Sequence, residues 1–479
     1  MTVMVQAPTD LQQTRIPTPA LRSTRTFLVL FAACAGQFLV VLDVSVVNVA
    51  LPSMRADLGL STTGLQWVVN AYAIAFAGFM LLGGRAADVF GRKRTFLFGL
   101  GLFTVASLAG GLAQEGWQLL AARAVQGLGA AVLAPATLTI VTAAAPAGPA
   151  RTRAIGTWSA VGAAGGAAGG FVGGALTDLL SWRWVLLINV PVGALVLVGA
   201  VFWLTESREK TGRRLDLPGA SLVTGGLAAV AYGIVQTEEA GWIAARTLLP
   251  LLGGLAVLGL FILVEARTKA PLMPLKVFRS RAVTAANVTM MVIGSASFGM
   301  WFSMTVYAQN VLDYSPLKAG LALIPSSVAV VVGSKLAPRL MTRAGAANVA
   351  VIGTLIAATG FGWQSTMTAD GGYLMSIMIP GMLMMMGIGL AATPLAALAT
   401  AGAEPGDEGL VSGLINTSRT MGGALGLSVF STIAASRAGD SAAEVDLTAG
   451  YALAFRAGAG LLVTGAVVML FWLPRRTEH

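Results

Sequence analysis

Long apolar runs are the feature of this sequence that most restricts its fold. From Thr26 onward, apolar runs of about 20 residues alternate with short polar stretches that hold most of the charged side chains. A helix of that length spans the roughly 30 Å hydrocarbon layer of a bilayer, because each residue adds about 1.5 Å. Only helices and closed barrels satisfy the backbone in lipid, and the sequence lacks the alternating pattern of barrel strands. The sequence therefore predicts an all-α integral membrane protein.

Composition excludes several other classes of protein. Only 11% of the 479 residues are charged, whereas soluble domains carry about 25%. The net charge of +10 does not indicate a nucleic-acid partner, because the basic residues lie in short loops between apolar runs. Cys34 is the single cysteine and His479 the single histidine, so we expect no intrachain disulfide and no Cys/His metal site.

The apolar runs predict about fourteen membrane-spanning helices. Their approximate bounds are 27–51, 65–84, 95–114, 118–142, 154–178, 184–204, 217–236, 248–266, 283–307, 317–337, 347–366, 373–398, 409–434 and 450–472. With the N-terminus inside, about 23 of the 31 Lys and Arg residues fall in loops on the cytoplasmic side. We therefore expect a multi-pass protein of the cytoplasmic membrane with both termini in the cytoplasm. Arg123, Arg419 and Arg456 fall within the runs themselves.

A weak internal repeat predicts two similar halves. Gly84–Arg94 resembles Gly333–Arg343, and the offset between them places two helices between two bundles of six. The predicted units are a tail, a first bundle, an inserted helix pair, a second bundle and a second tail, at 1–26, 27–204, 205–282, 283–472 and 473–479. Repeats of this kind build transporters whose site near the middle of the membrane opens to one side at a time.

Two charged residues lie deep in predicted helices. Asp43 lies within LDVSVVNVALP in the first span, and Arg123 within LLAARAVQGLGAAVLAPA in the fourth. A carboxylate in hydrocarbon costs about 3 kcal/mol, and we expect Asp43 to be the only acid so deep in a span. It is suited to carry a proton, although a structural Asp43 bonded to Ser45, Asn48 or nearby backbone is the alternative. Arg123 stays charged, so it either tunes a nearby carboxylate or extends to the membrane surface.

The loop after the second helix, GGRAADVFGRKR, carries a dense charge pattern. Its motif residues are Gly84, Asp88, Gly91, Arg92, Lys93 and Arg94. An aspartate can cap or pair near a helix start while the cations hold neighbouring helix ends, which would close the cytoplasmic side in one state. Alternatively, the three cations act only as topology anchors.

Glycines form two rows on the fifth predicted helix. One row is Gly162, Gly166, Gly170 and Gly174, and the other is Gly165, Gly169 and Gly173. Both rows let another helix approach at backbone distance.

These four stretches resemble signatures of the major facilitator superfamily, and specifically of its fourteen-helix drug:proton antiporter family. The loop matches the superfamily pattern G-x-x-x-D-x-x-G-R-K/R-R/K, and softer matches include INVPVG in the sixth span and GLVSGLINTSRTMGGALG in the thirteenth. The resemblance implies two six-helix bundles plus two extra helices, and proton-coupled export of lipophilic drugs or an antibiotic-like product. It assigns Asp43 and Arg123 to proton coupling, the loop to a cytoplasmic gate and the glycines to antiport.

One departure keeps another transport mode open. Related antiporters carry a proline where this chain has Gly170, so a proton-coupled importer or uniporter of a small metabolite remains an alternative. No phosphate-binding loop occurs, so the energy must come from an ion gradient.

We expect a monomeric transporter in the bilayer, with a small lipophilic substrate and protons as partners, no cofactor and no enzymatic activity. Aromatic and amide side chains within spans are candidates to line the substrate cavity, although each also suits packing. They are Asn70, Tyr72, Gln126, Asn287, Trp301 and Tyr307.

Overall fold

A computed structural model describes residues 24–146, 148–207, 215–268, 271–403, 408–438 and 443–473. Within these ranges the regular structure is entirely helical. The α-helices are α1 (Thr24–Leu58), α2 (Thr62–Phe90), α3 (Arg92–Gly111), α4 (Gly116–Ala144), α5 (Pro149–Leu179), α6 (Arg183–Leu187), α7 (Asn189–Trp203), α8 (Leu217–Ala240), α9 (Ala245–Arg267), α10 (Arg281–Asn310), α11 (Pro316–Ala322), α12 (Ile324–Ala344), α13 (Ala346–Gln364), α14 (Ile379–Ala401), α15 (Glu408–Ala438) and α16 (Glu444–Trp472). A 3₁₀ turn occupies Leu275–Arg279, and a π-helical turn at Leu374–Met378 leads into α14. Most of the two predicted tails lies outside the described residues.

Thirteen segments of the described chain are long and apolar enough to cross a membrane. Two predicted spans are each built from two helices, α6 with α7 and α11 with α12. The fourteenth span, α15, is 31 residues long but falls outside this set because its middle is polar. It packs against α2, α8, α10 and α16, so its polar groups are sheltered by other helices. The chain is thus a multi-pass membrane protein, and the predicted all-α fold class is confirmed.

The two halves repeat one packing scheme. In the first half, α1 packs against α4 and α5, while α2 and α3 pack against α4. In the second half, α10 packs against α14 and α15, while α12 and α13 pack against α14. This correspondence supports the internal repeat, and the residue limits given for the bundles stay a prediction.

The inserted pair, α8 and α9, touches both halves. The two helices pack against each other, and α8 also packs against α2 of the first half and α15 of the second. Ala73 and Ile74 of α2, Leu227 of α8 and Ala424 of α15 share one buried apolar cluster. The inserted pair therefore covers one seam between the halves.

The halves are closed against each other at one end of the bundle. We call the end that carries Gly91 and Glu206 the basic end, and the end that carries Leu58 and Leu317 the far end. At the far end, the Leu317 N–H donates to Asp178 Oδ2 at 3.1 Å, and Gln309 Nε2 donates to the Val49 carbonyl at 2.8 Å. Both hydrogen bonds join one half to the other.

Candidate functional site

The Asp43 carboxylate lies inside the first half and is fully paired. It is 0% exposed and sits on α1 where α4 and α7 pack against that helix. Oδ2 accepts a hydrogen bond from Arg123 Nη1 at 2.6 Å, and Oδ1 accepts from Gln126 Nε2 at 2.7 Å and Asn189 Nδ2 at 2.9 Å. A buried carboxylate is costly unless it is paired and hydrogen-bonded, and these three donors meet that requirement.

Arg123 is held in place by three groups besides the Asp43 carboxylate. It is 2% exposed; Nη1 also donates to Gln126 Oε1 at 2.7 Å and Nε donates to the Val68 carbonyl at 3.1 Å. The guanidinium lies over the Tyr72 ring, 4.4 Å from its centroid, in a cation–π arrangement. Arg123 therefore does not extend to the membrane surface, and its charge is directed at Asp43.

Sequence reasoning missed two members of this cluster, Asn189 and Ser107. Ser107 on α3 accepts hydrogen bonds from Gln126 Nε2 at 2.6 Å and Asn189 Nδ2 at 3.0 Å. Both residues are completely buried. Asn189 belongs to INVPVG, which is only a soft match to the family, and the available signal was an amide side chain inside the predicted span 184–204.

The structural alternative for Asp43 assigned it other partners. Ser45 Oγ instead donates to the Gly166 carbonyl at 2.8 Å, and Asn48 Nδ2 donates to the Val44 carbonyl at 2.9 Å. Asp43 is not the only buried acid among the described residues, although the others lie at the ends of their helices. Glu265 on α9 is 2% exposed, and its Oε2 accepts from the Met273 N–H at 2.8 Å near the basic end. Its burial could not be read from a position at the end of an apolar run.

The motif loop is a tight turn between α2 and α3. Gly91 has φ +100°, a conformation that favours glycine, and it ends α2 and begins α3 in one residue. The Glu206 carboxylate accepts hydrogen bonds from the backbone N–H groups of Lys93 and Arg94 at 3.3 and 3.2 Å. Lys93 Nζ donates to the Val201 carbonyl at 2.6 Å.

Glu206 thus supplies negative charge at the α3 N-terminus, where it is favourable, and ties that helix to the end of α7. Sequence reasoning did not anticipate this partner. The side chain of Asp88 lies outside the part of the chain that the structure describes. A Cβ at Gly84 would lie 3.8 Å from Pro135 Cβ on α4, which is an ordinary packing contact.

The glycines of α5 face two different neighbours. One set lies against α1: Gly162 meets Gln37, Gly169 meets Ser45 and Gly173 meets Val46. Gly166 joins this set through its carbonyl, which accepts from Ser45.

Two further glycines of α5 face the other half of the molecule. A Cβ at Gly170 would lie 3.0 Å from the Gly320 carbonyl oxygen, and one at Gly174 would lie 2.6 Å from Leu317 Cα. Gly170 therefore stands where α5 meets α11 backbone to backbone, which accounts for a glycine at the place of the usual proline.

The six candidates for the substrate cavity lie in several places. Tyr72 and Gln126 belong to the Asp43 cluster. Asn70 Nδ2 donates to Ser428 Oγ at 2.8 Å across the seam between α2 and α15, and Asn287 Oδ1 accepts from Ser418 at 2.8 Å between α10 and α15. The Tyr307 hydroxyl donates to the Thr368 carbonyl at 2.8 Å, and Trp301 is half-buried against a large apolar cluster that includes residues of both halves.

Comparison with known proteins decides the family. The sequence profile of the Major Facilitator Superfamily matches residues 33–427. The chain belongs to this superfamily. It is 47% identical over 449 residues to the cephamycin export protein CmcT of Amycolatopsis lactamdurans, covering 93% of this chain and 92% of that protein. It is 38% identical over 456 residues to the puromycin resistance protein pur8 of Streptomyces alboniger, covering 93% and 90%.

Solved structures of the superfamily share the fold. A bacterial homologue of the human lysosomal transporter Spinster, in an inward-facing and unoccupied conformation, aligns with a TM-score of 0.66 at 17% identity. The alignment covers 95% of this chain and 99% of that one. The peptide transporter POT in complex with sulfate aligns with a TM-score of 0.69 at 16% identity, covering 92% and 94%. At such identities these likenesses establish the major facilitator fold alone.

Proposed function

We propose that this chain exports an antibiotic-like or lipophilic drug in exchange for protons. The relatives named for cephamycin export and puromycin resistance support the export of such compounds, and each aligns over more than nine-tenths of this chain. The observation that carries proton coupling is the buried pair of Asp43 and Arg123, joined at 2.6 Å inside the first half. An ionisable residue within a membrane span is costly to keep and so marks a function.

The geometry suggests how a proton acts on this site. Protonation of Asp43 removes the charge that attracts Arg123, and the attraction between them is strong because the pair is shielded from water. Asp43 lies on α1, Arg123 on α4 and Asn189 on α7, so a change at the carboxylate loosens contacts among three helices. Deprotonation restores them. The two charge states of Asp43 thus favour different arrangements of the bundle.

The proton gradient supplies enough energy for export. One proton moving inward through about 100 mV releases about 2.3 kcal/mol, and one pH unit adds about 1.4 kcal/mol. Their sum of about 3.7 kcal/mol sustains a several-hundred-fold gradient of a neutral substrate exchanged one for one.

The proposed orientation follows from the basic loops. The basic end faces the cytoplasm, both termini lie on that side and the chain acts as a monomer in the cytoplasmic membrane. The loop that contains Gly91 closes the basic end in the opposite state, and its link to Glu206 would then couple α3 to α7 during closure. In the arrangement described here, the far end is the closed one.

Proton release from energised inverted vesicles tests this function. Puromycin and the cephamycin cefoxitin are added to vesicles that hold a preformed pH gradient, and collapse of the gradient is followed with a fluorescent probe. The normal chain should dissipate the gradient on drug addition, and Asp43→Asn should abolish this response while the variant remains monodisperse in detergent. Asp313→Asn is the matched control, because Asp313 is an exposed acid at the far end, just after α10.

Coupled transport that persists unchanged in Asp43→Asn would refute the proton role of this carboxylate. Substrate uptake in the direction of proton movement would indicate an importer, and drug movement without any proton movement would indicate a uniporter.

A further inference from the structure

Arg419 is an exposed cation in the middle of a sheltered helix. It lies on α15, where its neighbours Thr417, Ser418 and Thr420 are all buried. Its own side chain is exposed. A charged residue at that depth requires a polar environment, and Arg remains protonated in proteins.

The helices around α15 restrict what the exposed side chain can face. On one side Asn416 contacts Met80 of α2, from the first half, at 3.4 Å. On another, a Cβ at Gly294 of α10 would overlap the backbone of Arg419. Met421 packs on the apolar cluster shared with α8, and α16 covers a further part of the helix.

The position of Arg419 along its face identifies the space that it enters. Ser412, seven residues earlier on the same face, is exposed too, whereas Gly426, seven residues later, is buried against Ser295. The Arg419 side chain is joined to Asn416, the residue that touches α2. The exposed face therefore opens between the two halves, toward the basic end, and is closed toward the far end.

The guanidinium has no acidic partner in the described part of the chain. Its Nη2 donates to Asn416 Oδ1 at 3.0 Å, and no described Asp or Glu oxygen lies within 4.0 Å of it. Arg94, Arg123 and Arg183, by contrast, each pair with a carboxylate. Several N–H donors of Arg419 thus have no acceptor in the described part of the chain, on a face of α15 that is exposed.

We propose that Arg419 binds the acidic group of the transported compound, so that the substrate class is organic anions bearing a carboxylate. A guanidinium presents parallel N–H groups whose spacing matches a carboxylate, which allows two hydrogen bonds to one substrate group. Asn416 fixes one edge of the guanidinium and leaves the others to the ligand. This assignment rests on the proposed function, because it names the class of compound that the exporter moves.

Equilibrium binding to the purified full-length chain tests the proposal without any proton gradient. The probes are cefoxitin, a cephamycin with one carboxylate, and its methyl ester, which lacks that charge. The chain is placed in nanodiscs of neutral lipid, and binding is measured by calorimetry. We expect the acid to bind about tenfold more tightly than the ester, as one charge-assisted hydrogen-bonded contact in a partly wet site provides.

Three variants separate recognition from a structural role. Arg419→Gln should weaken binding of the acid about tenfold and leave the ester unchanged, whereas Arg419→Lys should retain most of the preference. Arg456→Gln is the matched control, since Arg456 lies on α16 in an exposed stripe with Leu453, Val463 and Val467. That variant should bind both compounds as the normal chain does.

The proposal is overturned if the normal chain binds acid and ester equally or binds neither. It is also overturned if Arg419→Gln weakens both compounds alike, because that result indicates a structural role. Selective binding of the acid together with no drug-induced proton release would instead reject the proton-coupled function and leave Arg419 as an anion site.

Discussion

Arg123 of the first half and Arg419 of the second half both lie within predicted spans, and their surroundings differ. Arg123 is enclosed by Asp43, Gln126, the Val68 carbonyl and the Tyr72 ring. Arg419 has one amide partner and an open face between the halves. Under the two proposals, the enclosed Arg123 responds to a proton on its partner Asp43, whereas the exposed Arg419 responds to an anionic substrate. Duplicated halves can therefore divide coupling and recognition between them.

Removal of each arginine should have very different effects on the free energy of unfolding. Arg123→Met leaves Asp43 buried without its cation, which costs about 3–5 kcal/mol, whereas Arg419→Met should change stability by no more than about 0.5 kcal/mol. The measurement is thermal unfolding of the detergent-purified variants.

A double variant checks the cause of the Arg123 effect. Adding Asp43→Asn to Arg123→Met should restore much of the lost stability, because the buried charge is gone. Equal destabilisation by the two single arginine changes would show that the two sites are not as different as their contacts indicate.

The access to Arg419 should depend on closure of the far end. Gly320→Ala places a methyl group against the backbone of Gly170, where overpacking costs about 1–3 kcal/mol in the closed state. We expect the population to shift toward a state open at the far end. Maleimide labelling of Ser412→Cys, in a Cys34→Ala background, should then slow by about fivefold or more in nanodiscs, where both faces are reachable.

Gly225→Ala on α8 is the control for this change, because a Cβ there meets nothing within 4 Å. Faster labelling of Ser412→Cys in the Gly320→Ala protein would show that the face of Arg419 does not open toward the basic end.

The smallest expected effect concerns the turn at the basic end. Glu206→Gln removes the negative charge that accepts hydrogen bonds from the Lys93 and Arg94 N–H groups. This change should lower the free energy of unfolding by about 0.5–1 kcal/mol. A melting temperature lowered by a few degrees, with drug-induced proton release reduced less than in Asp43→Asn, would fit this role. Glu444→Gln, at an exposed position in the first turn of α16, controls for general loss of surface charge. Identical melting of both variants would argue against the link to α3.

Much of the fold was accessible from the sequence because lipid imposes a simple rule on length and polarity. The apolar runs located the spans, and α15 is among them although its middle is polar. The sequence did not reveal that α6 and α7, or α11 and α12, divide one span into two helices. Such breaks depend on local packing, which composition does not encode.

The site was accessible only in part. Asp43 and Arg123 stand out because charge is costly in hydrocarbon, yet their separation of 80 residues gives no sign that they touch. Asn189, Ser107 and Glu206 were missed because amides, hydroxyls and loop acids are ordinary residues until helix register brings them to a partner. The sequence indicated that Gly170 stands in place of the family's proline, but not that it contacts Gly320 on α11, because that contact joins helices far apart in the chain.

The position of α8 constrains how such a machine can move. Because α8 touches α2 in one half and α15 in the other, it cannot move rigidly with both halves when they move relative to each other. Each movement of one half relative to the other must therefore change the contacts of α8 with α2 or with α15, in both directions of the transport cycle. The rate of turnover should therefore depend on the packing of small residues such as Ala73 and Ala424 against α8, independently of the substrate-binding residues.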